Sequence, residues 1–329
     1  MNILVTGGAG YIGSITCRVL SEAGYTPVIF DNLEAGHTEA VNRFELIQGD
    51  LRNPAEIDAA IKAVKPAAVV HFASYIEVGE SVRDPLKYFS NNVQGSLNLF
   101  QAMVANGVTR LVFSSTCATY GMPDQLPLSE QEKERPESPY GESKLIVEKM
   151  LRWLSPAYGL SSIRLRYFNA SGAWPDGSLG EAHAPESHII PRAINAVLSG
   201  TKFKLFGDDY DTPDGTCVRD YIHVADLAQA HVAALQKLQT WDGTDYYNVG
   251  VGTGYSNREI IKMIEKVSGK TVQLTVEPRR PGDPAQLFAD NTKVTADLGW
   301  KPEHNLEDII RSAYKWHTSH PRGYSKGGK

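Results

Sequence analysis

Along the first half of the chain, apolar positions fall in short runs rich in β-branched and aromatic residues. Each run is followed by a turn and then by a stretch with helical spacing. The pattern predicts strands over 3–6, 27–30, 44–48, 68–72, 111–114 and 163–166, with helices over 11–23, 54–63, 91–106 and 140–157 between them. Such alternation specifies an α/β fold in which a parallel sheet is covered by helices on both faces. Right-handed crossovers wind it into a doubly wound sheet whose ligand crevice lies outside the carboxyl ends of the strands. The segments that matter are those just after each strand: 7–13, Asp31-Asn32, Asp50-Leu51, Phe72-Ala73-Ser74, Ser114-Ser115-Thr116 and Phe168-Asn169.

Past residue 170 the pattern changes. The stretch 171–186 is rich in Gly, Pro, Ser and acids and reads as loop. A helix over 189–199, a strand over 202–206 and a helix over 226–237 follow, then a strand over 246–249 that can return to the first sheet. This divides the chain into a first domain over 1–170, with returning segments near 218–250, and a smaller interleaved α/β C-terminal domain formed mainly by 171–329. The charged stretch 130–137 reads as a solvated loop and the tail 322–329 as disordered.

Composition narrows the function. A chain of 329 residues is long enough to bury a full core. Its formal net charge of -5, without a basic stripe, argues against a nucleic-acid partner. Cys17, Cys117 and Cys217 are far apart and odd in number, which reads as buried free thiols in a reducing compartment. The first thirteen residues read as strand and turn rather than a leader, and no apolar run approaches the roughly 20 residues of a membrane helix. The expectation is a cytoplasmic protein with no membrane partner.

The turn after the first strand, Thr6-Gly7-Gly8-Ala9-Gly10-Tyr11-Ile12-Gly13, carries the first chemistry. Gly7 lets the chain leave the strand tightly, Gly10 lets the backbone approach phosphate, and Gly13 lets the helix pack close to the sheet. Helix amides after Gly10 then point at an anion. A glycine triplet alone also suits an ordinary strand-turn-helix connection. Here the second strand ends in Asp31, a carboxylate able to accept both adenosine ribose hydroxyls and to repel a ribose phosphate. The combination specifies a Rossmann-type sheet that binds NAD in preference to NADP. Tyr11, Ile12, Phe72, Ala73, Ser114 and Tyr167 join the glycines as candidates on the crevice.

Tyr140 and Lys144 stand four apart, on one helix face, just after Pro139. Bringing a tyrosine of pKa ~10 to pH 7 takes about 3 units, or roughly 4 kcal/mol of phenolate stabilisation. An ammonium one turn away, together with the positive nicotinamide ring, can supply it. Lys144 can also hold the nicotinamide ribose. The hydroxyls of Ser114-Ser115-Thr116 can bond the substrate oxygen that exchanges its proton with Tyr140; simple capping is their other use.

With these residues in place, the chain resembles the extended short-chain dehydrogenase/reductases, and within them the UDP-hexose 4-epimerases. The match runs nearly end to end. It includes 7–13, Asp31-Asn32-Leu33, Gly49-Asp50-Leu51-Arg52, His71-Phe72-Ala73 and Val78-Gly79-Glu80-Ser81. It continues through Asn91-Asn92-Val93, 114–121, 138–144 and Arg166-Tyr167-Phe168-Asn169, and ends with 207–210, 214–216 and 218–224. The resemblance implies Tyr140 as base, Lys144 as its partner and Thr116 as the hydroxyl that orients the proton. It implies NAD contacts from Asp31, Asn32, Asp50, Leu51, Asn91 and the glycines. For the UDP moiety it implies Asn169, Arg219, Arg280 and Asp283, with His188, Ile189, Phe206 and Thr116 beside the substrate. Two arginines suit a pyrophosphate. The activity implied is interconversion of UDP-galactose and UDP-glucose at C4, in a homodimer paired through helices 91–106 and 140–157.

Three departures bear on this. Cys117-Ala118 stands where related dehydratases carry an Asp-Glu pair, which argues against dehydration. Ile76 replaces a lysine near the cofactor phosphates. Leu287 replaces a bulky tyrosine of some members and opens the alternative of UDP-GlcNAc/UDP-GalNAc interconversion. A non-catalytic NAD(P) sensor of the same fold is the remaining alternative, against which the retained Tyr140, Lys144 and Thr116 argue. His71, His183, His188, His223 and His231 show no zinc-ligand spacing, so no metal is expected. His71 at a strand end reads as a satisfied interior residue. His188 reads equally as a uracil contact or as packing.

Overall fold

The computed structural model describes residues 1–280 and 282–324. Its first half runs β1 (Asn2–Thr6), α1 (Tyr11–Glu22), β2 (Thr26–Asp31), β3 (Glu45–Gln48), α2 (Pro54–Val64) and β4 (Ala68–His71). Then come α3 (Val78–Arg83), α4 (Pro85–Tyr88), a π-helical turn (Phe89–Gln94), α5 (Gly95–Ala105), β5 (Arg110–Thr116), α6 (Pro139–Tyr158) and β6 (Ser161–Tyr167). The second half adds β7 (Asn169–Ser171), α7 (Ile189–Ser199), β8 (Phe203–Phe206), β9 (Val218–His223), α8 (Val224–Lys237) and β10 (Thr244–Val249). It closes with β11 (Gly254–Ser256), α9 (Asn257–Ser268), β12 (Leu274–Glu277), β13 (Gln286–Leu287), α10 (Thr292–Leu298) and α11 (Leu306–Ser319).

Seven parallel strands form the main sheet in the order β10-β6-β5-β4-β1-β2-β3. Val5 of β1 is in register with Ile29 of β2 on one side and Val70 of β4 on the other. The chain reverses its direction of travel between β1 and β4, and the crevice opens at the carboxyl ends of those two strands. Strand β10 is the returning segment and pairs Tyr247 with Leu165 of β6.

Both faces of the sheet are buried. On one, Ile3, Val5, Ile15, Leu20, Leu227 and Leu235 form a core between the sheet, α1 and α8. On the other, Leu4, Phe30, Ile57, Leu99, Phe113 and Leu151 pack under α2, α5 and α6. Burial on both faces explains why these strands read as continuous apolar runs. A separate core of Ile194, Leu205, Ile260, Ile264 and Ile310 joins α7, α9 and α11 to β8.

The predicted elements appear within a few residues of their expected limits, and the differences have local causes. Helix α9 is closed by a capping box of Ser256 and Glu259, and α11 by one of Asn305 and Asp308. The stretch 130–137 is not simply solvated. Glu130 accepts the amide of Asn248 at 2.7 Å, and Glu134 reaches the buried Arg166 at 2.5 Å. Arg322–Tyr324 of the expected tail is placed: the Tyr324 ring lies 4.7 Å from Trp316 and 4.8 Å from His37. Residues 325–329 lie outside the described residues. Cys17 and Cys217 are buried free thiols, whereas Cys117 is only half-buried. No helix among the described residues is long and apolar enough to cross a membrane.

Candidate active site

The glycines after β1 divide into two kinds. A Cβ on Gly7, which sits at φ +72°, would lie 2.5 Å from Ala73 N, and one on Gly13 would lie 2.3 Å from Gly7 O. Both positions are required by close backbone packing. A Cβ on Gly10 would meet only Gly7 O, at 3.4 Å, so the space before it is open. Helix α1 begins there with no side-chain cap and no acid in its first turn. Its first amides are therefore available to an anion, and the helix dipole favours one.

Asp31, at the end of β2, accepts the amides of Ala9 at 2.9 Å and Leu33 at 2.8 Å. Burial raises its pKa, and those two amides oppose the rise. Across the crevice Asp50 accepts from Asn32 at 3.0 Å and is gripped by Arg52. The Arg52 contact, with help from Asn32, holds the Asp50 carboxyl down at about 2. An open glycine cradle, an uncapped helix and a carboxylate one strand over are the donor and acceptor set that a dinucleotide needs. Tyr11 braces the loop opposite, donating to Gly172 O at 2.7 Å. Asn91 donates to Asn92, which bonds Tyr75 and Ser143 and so ties the crevice wall to α6. Leu51 and Phe72 pack beneath, Leu51 with α2 and α5 and Phe72 on His231.

Tyr140 and Lys144 enter from α6. Ser138 caps that helix by accepting Gly141 N, and Pro139 occupies the first helical position. A Cβ on Gly141 would stand 2.6 Å from Ala118 O, so the glycine lets α6 close against the loop after β5. The three hydroxyls of that strand end then separate. Ser114 Oγ meets Tyr167 Oη at 2.6 Å, Ser115 Oγ donates to Glu148 at 2.5 Å, and Thr116 Oγ1, which accepts from Ala118 N at 3.2 Å, is the hydroxyl beside the Tyr140 phenol. Ser114 and Ser115 are thus already engaged.

Electrostatics depart from expectation here. Burial pushes the Tyr140 phenol well above its usual range, with only the Thr116 hydroxyl opposing. The Lys144 ammonium, one turn away, donates to Ser114 O at 2.8 Å. Burial also depresses Lys144 to about 7, with Glu148 pulling the other way. Burial thus favours the neutral phenol, and positive charge brought by a ligand would act in the opposite direction.

Beneath this site lies an ion network that the sequence pattern does not reveal. Arg166 and Glu148 are both fully buried and joined at 2.5 Å, while the Arg166 guanidinium also faces the rings of Tyr120 and Tyr246. Neighbouring His71 is held by Thr6 at 2.7 Å and Ser96 at 2.9 Å, and burial lowers it to about 3. It is the satisfied interior residue expected.

A second cavity, of about 180 Å³, is lined by Asn169, His188, Ile189, Phe206, Arg219, Arg280 and Asp283. Arg192, Lys204, Cys217 and Asn257 also line it, with Ser187, Phe203, Leu205 and Tyr221, and were not anticipated, although Arg192 stands out as the one charged residue of α7. Arg280 stacks over Phe206 at 4.2 Å. Burial and then the charge of Arg280 lower the pKa of Arg192, as expected of two cations facing one space. Arg219 Nη2 is shielded from solvent and makes no hydrogen bond, though Asp283 stands 3.5 Å away. Excess positive charge with an unused donor is a site for a polyanion. Leu287 pairs in register with Arg219 and packs beside Phe168 and Leu128. Ile76 is exposed and offers the crevice no charge.

The histidines contain a surprise. Sequence spacing excludes a metal site, yet the fold brings Glu181, His183, Glu186 and His188 together. Glu181 sits 2.5 Å from His188, and this pairing raises the imidazole pKa against the opposing effect of burial.

The profile of the NAD dependent epimerase/dehydratase family matches residues 3–250. The UDP-glucose 4-epimerase of Lactobacillus helveticus is 48% identical over 327 residues, covering 98% of this chain and 99% of that protein. The crystal structure of UDP-glucose 4-epimerase from Brucella ovis in complex with NAD superposes with a TM-score of 0.93 at 47% identity, covering 95% of this chain and 97% of that one. The enzyme from Stenotrophomonas maltophila, with bound NAD and formylated UDP-arabinopyranose, gives 0.95 at 40% identity over 98% and 99% of the two chains.

Proposed function

The chain belongs to the NAD dependent epimerase/dehydratase family, and on that premise we infer that it interconverts UDP-galactose and UDP-glucose by oxidation and re-reduction at the sugar C4. The observation that carries this reading is the Tyr140 phenol buried beside the Thr116 hydroxyl at the end of β5, in a chain that also builds an arginine-rich cavity.

NAD is held by the glycine turn, Asp31, Asn32 and Asp50, and when bound it supplies the acceptor and donor of the C4 hydrogen. Lys144 has two ammonium protons left after its bond to Ser114, enough to hold the ribose hydroxyls. Tyr140 takes the proton of the 4-hydroxyl, with Thr116 orienting it. A protonated phenol accepts no proton. Tyr140 therefore first releases its own proton to solvent in the complex where added positive charge lowers its pKa, and the resulting phenolate is what takes the 4-hydroxyl proton. Arg219, Arg280 and Arg192 anchor the diphosphate. The hexose, with few charged neighbours, is free to present its other face before Tyr140 returns the proton. We also propose a homodimer. Val82, Leu86 and Trp153, each more than 60% exposed on α3, α4 and α6, support that helical face, whereas most of α5 is buried within its own chain.

The test is purified protein incubated with UDP-galactose and no added NAD, with the anomeric signals followed by NMR. UDP-glucose should approach equilibrium without build-up of reduced nicotinamide. Tyr140→Phe should retain bound NAD and lose turnover by about 10²-fold or more; near-normal rates in that variant would remove the base assignment. Sedimentation at micromolar concentration reads the dimer.

A further inference from the structure

One short loop brings four donors together, and the last of them, His188, lines the arginine-rich cavity. Glu181, His183, Glu186 and His188 each present a ligating atom, and all four atoms lie within 4.8 Å of one another. Glu181 is buried, with Oε1 2.5 Å from His188 Nδ1 and 3.0 Å from His183 Nδ1. Glu186 closes the group at 3.4 Å from His188 and 3.9 Å from His183. His183 Nδ1 is shielded from solvent and meets no partner at hydrogen-bonding angles, despite its approach to Glu181.

The loop is held in place by contacts from outside the cluster. Trp316 Nε1 donates to Glu181 O at 2.9 Å, and His37 donates to Ala182 O at 3.1 Å. Ser187 donates to Glu77 at 2.9 Å. The donors are therefore presented by a braced backbone and not by long side chains on an open surface.

We propose that Glu181, His183, Glu186 and His188 form a binding site for a divalent transition-metal cation, with zinc the best match. Two imidazoles exclude the hard cations magnesium and calcium, which demand oxygen, and suit zinc and its neighbours. Two carboxylates balance the double charge. Four N and O donors at this mutual spacing need only small rotations to sit about 2.0–2.2 Å from a central ion in tetrahedral array. The ion replaces the protons now shared between the imidazoles and carboxylates. Because all four protein positions are filled, the site is closed and structural. His188 directly precedes α7 and lines the cavity, so the ion fixes one wall of that cavity and takes no part in the C4 chemistry.

The test uses the holoenzyme, treated with chelator, freed of it, and titrated with Zn²⁺ against a chromogenic indicator. One equivalent should bind with micromolar or tighter affinity, and zinc should raise the Tm. His183→Ala and Glu186→Ala, checked for wild-type circular dichroism and NAD content, should each lose affinity by more than the ~10–100-fold that removal of an outer partner costs. A Co²⁺ titration of the unaltered protein needs no variant, and should give d–d bands without thiolate charge transfer. The proposal is overturned by the absence of stoichiometric zinc below about 100 µM. It is equally overturned by variants that bind zinc as the parent does, or by a thiolate band showing that cysteines hold the ion.

Discussion

Lys144 Nζ donates at 2.8 Å to the carbonyl of Ser114, whose hydroxyl in turn meets Tyr167 at 2.6 Å. The bond moors a buried ammonium to the end of β5, one helical turn from Tyr140. Burial brings its pKa to about 7 and Glu148 alone opposes the fall. The charge of Lys144 near neutrality is thus a property of its surroundings.

A stability consequence follows with a definite sign. Between about 7 and 10.5 the unfolded chain binds a proton that the folded one does not, so stability rises with pH across that window. Below pH 7 the full cost of the buried ammonium is present. Lys144→Met should therefore gain most on the parent just below pH 7, by a few kcal/mol at most, and the gap should close toward pH 10. Denaturant unfolding at several pH values reads it, and a gap independent of pH would refute the depressed pKa.

The glycine turn separates folding from binding. Gly13→Ala forces a Cβ to 2.3 Å from Gly7 O and should lower the Tm markedly. Gly10→Ala meets nothing closer than 3.4 Å and should fold at nearly the parent stability, yet it fills the space the pyrophosphate needs. NAD released on denaturation should fall in Gly10→Ala to a small fraction of the parent content. Full NAD content in that variant would contradict the cradle.

Glu148 and Glu134 both contact Arg166, but their burial differs. Glu148 is fully enclosed, while the Glu134 side chain is 30% exposed. Glu148→Ala leaves a buried guanidinium without its main partner and should cost about 3–5 kcal/mol. Glu134→Ala should cost about 1 kcal/mol or less. Equal costs in urea unfolding would show that the network is not organised around Glu148.

Leu287 is the position at which the choice of sugar is tested. It lies in β13, opposite Arg219 of β9 and against Phe168. Leu287→Tyr should reduce any turnover of UDP-GalNAc by about 10–200-fold, the ~1–3 kcal/mol that one group in a pocket is worth, while leaving UDP-galactose turnover within about threefold. Parallel NMR time courses with the two sugars check this; equal effects on both would exclude a role in selecting the C2 substituent.

Much of this protein was legible in its sequence because the signals are local. Apolar runs of four to seven residues bounded by turns define strands, and Gly7, Gly10, Gly13, Asp31, Tyr140 and Lys144 fall at strand ends and a helix start. Their placement in one crevice follows from winding rules that hold for any such chain. The capping boxes at Ser256 and Asn305 were equally local, and could have located α9 and α11. Spacing left Ser114, Ser115 and Thr116 equivalent, and only the family resemblance singled out Thr116. The fold gives the physical reason, because Ser115 and Thr116 point to opposite sides of one strand and Ser115 is turned to Glu148. Tertiary structure alone added Arg192 of α7 to the cavity that Arg219 and Arg280 line from β9 and the segment after β12, and turned Glu181, His183, Glu186 and His188 toward a common centre. Burial, which depends on the whole fold, set the protonation of Tyr140 and Lys144 against what their one-turn spacing predicts. Pattern fixes the elements because sterics act over a few residues; proximity and dielectric belong to the packed chain.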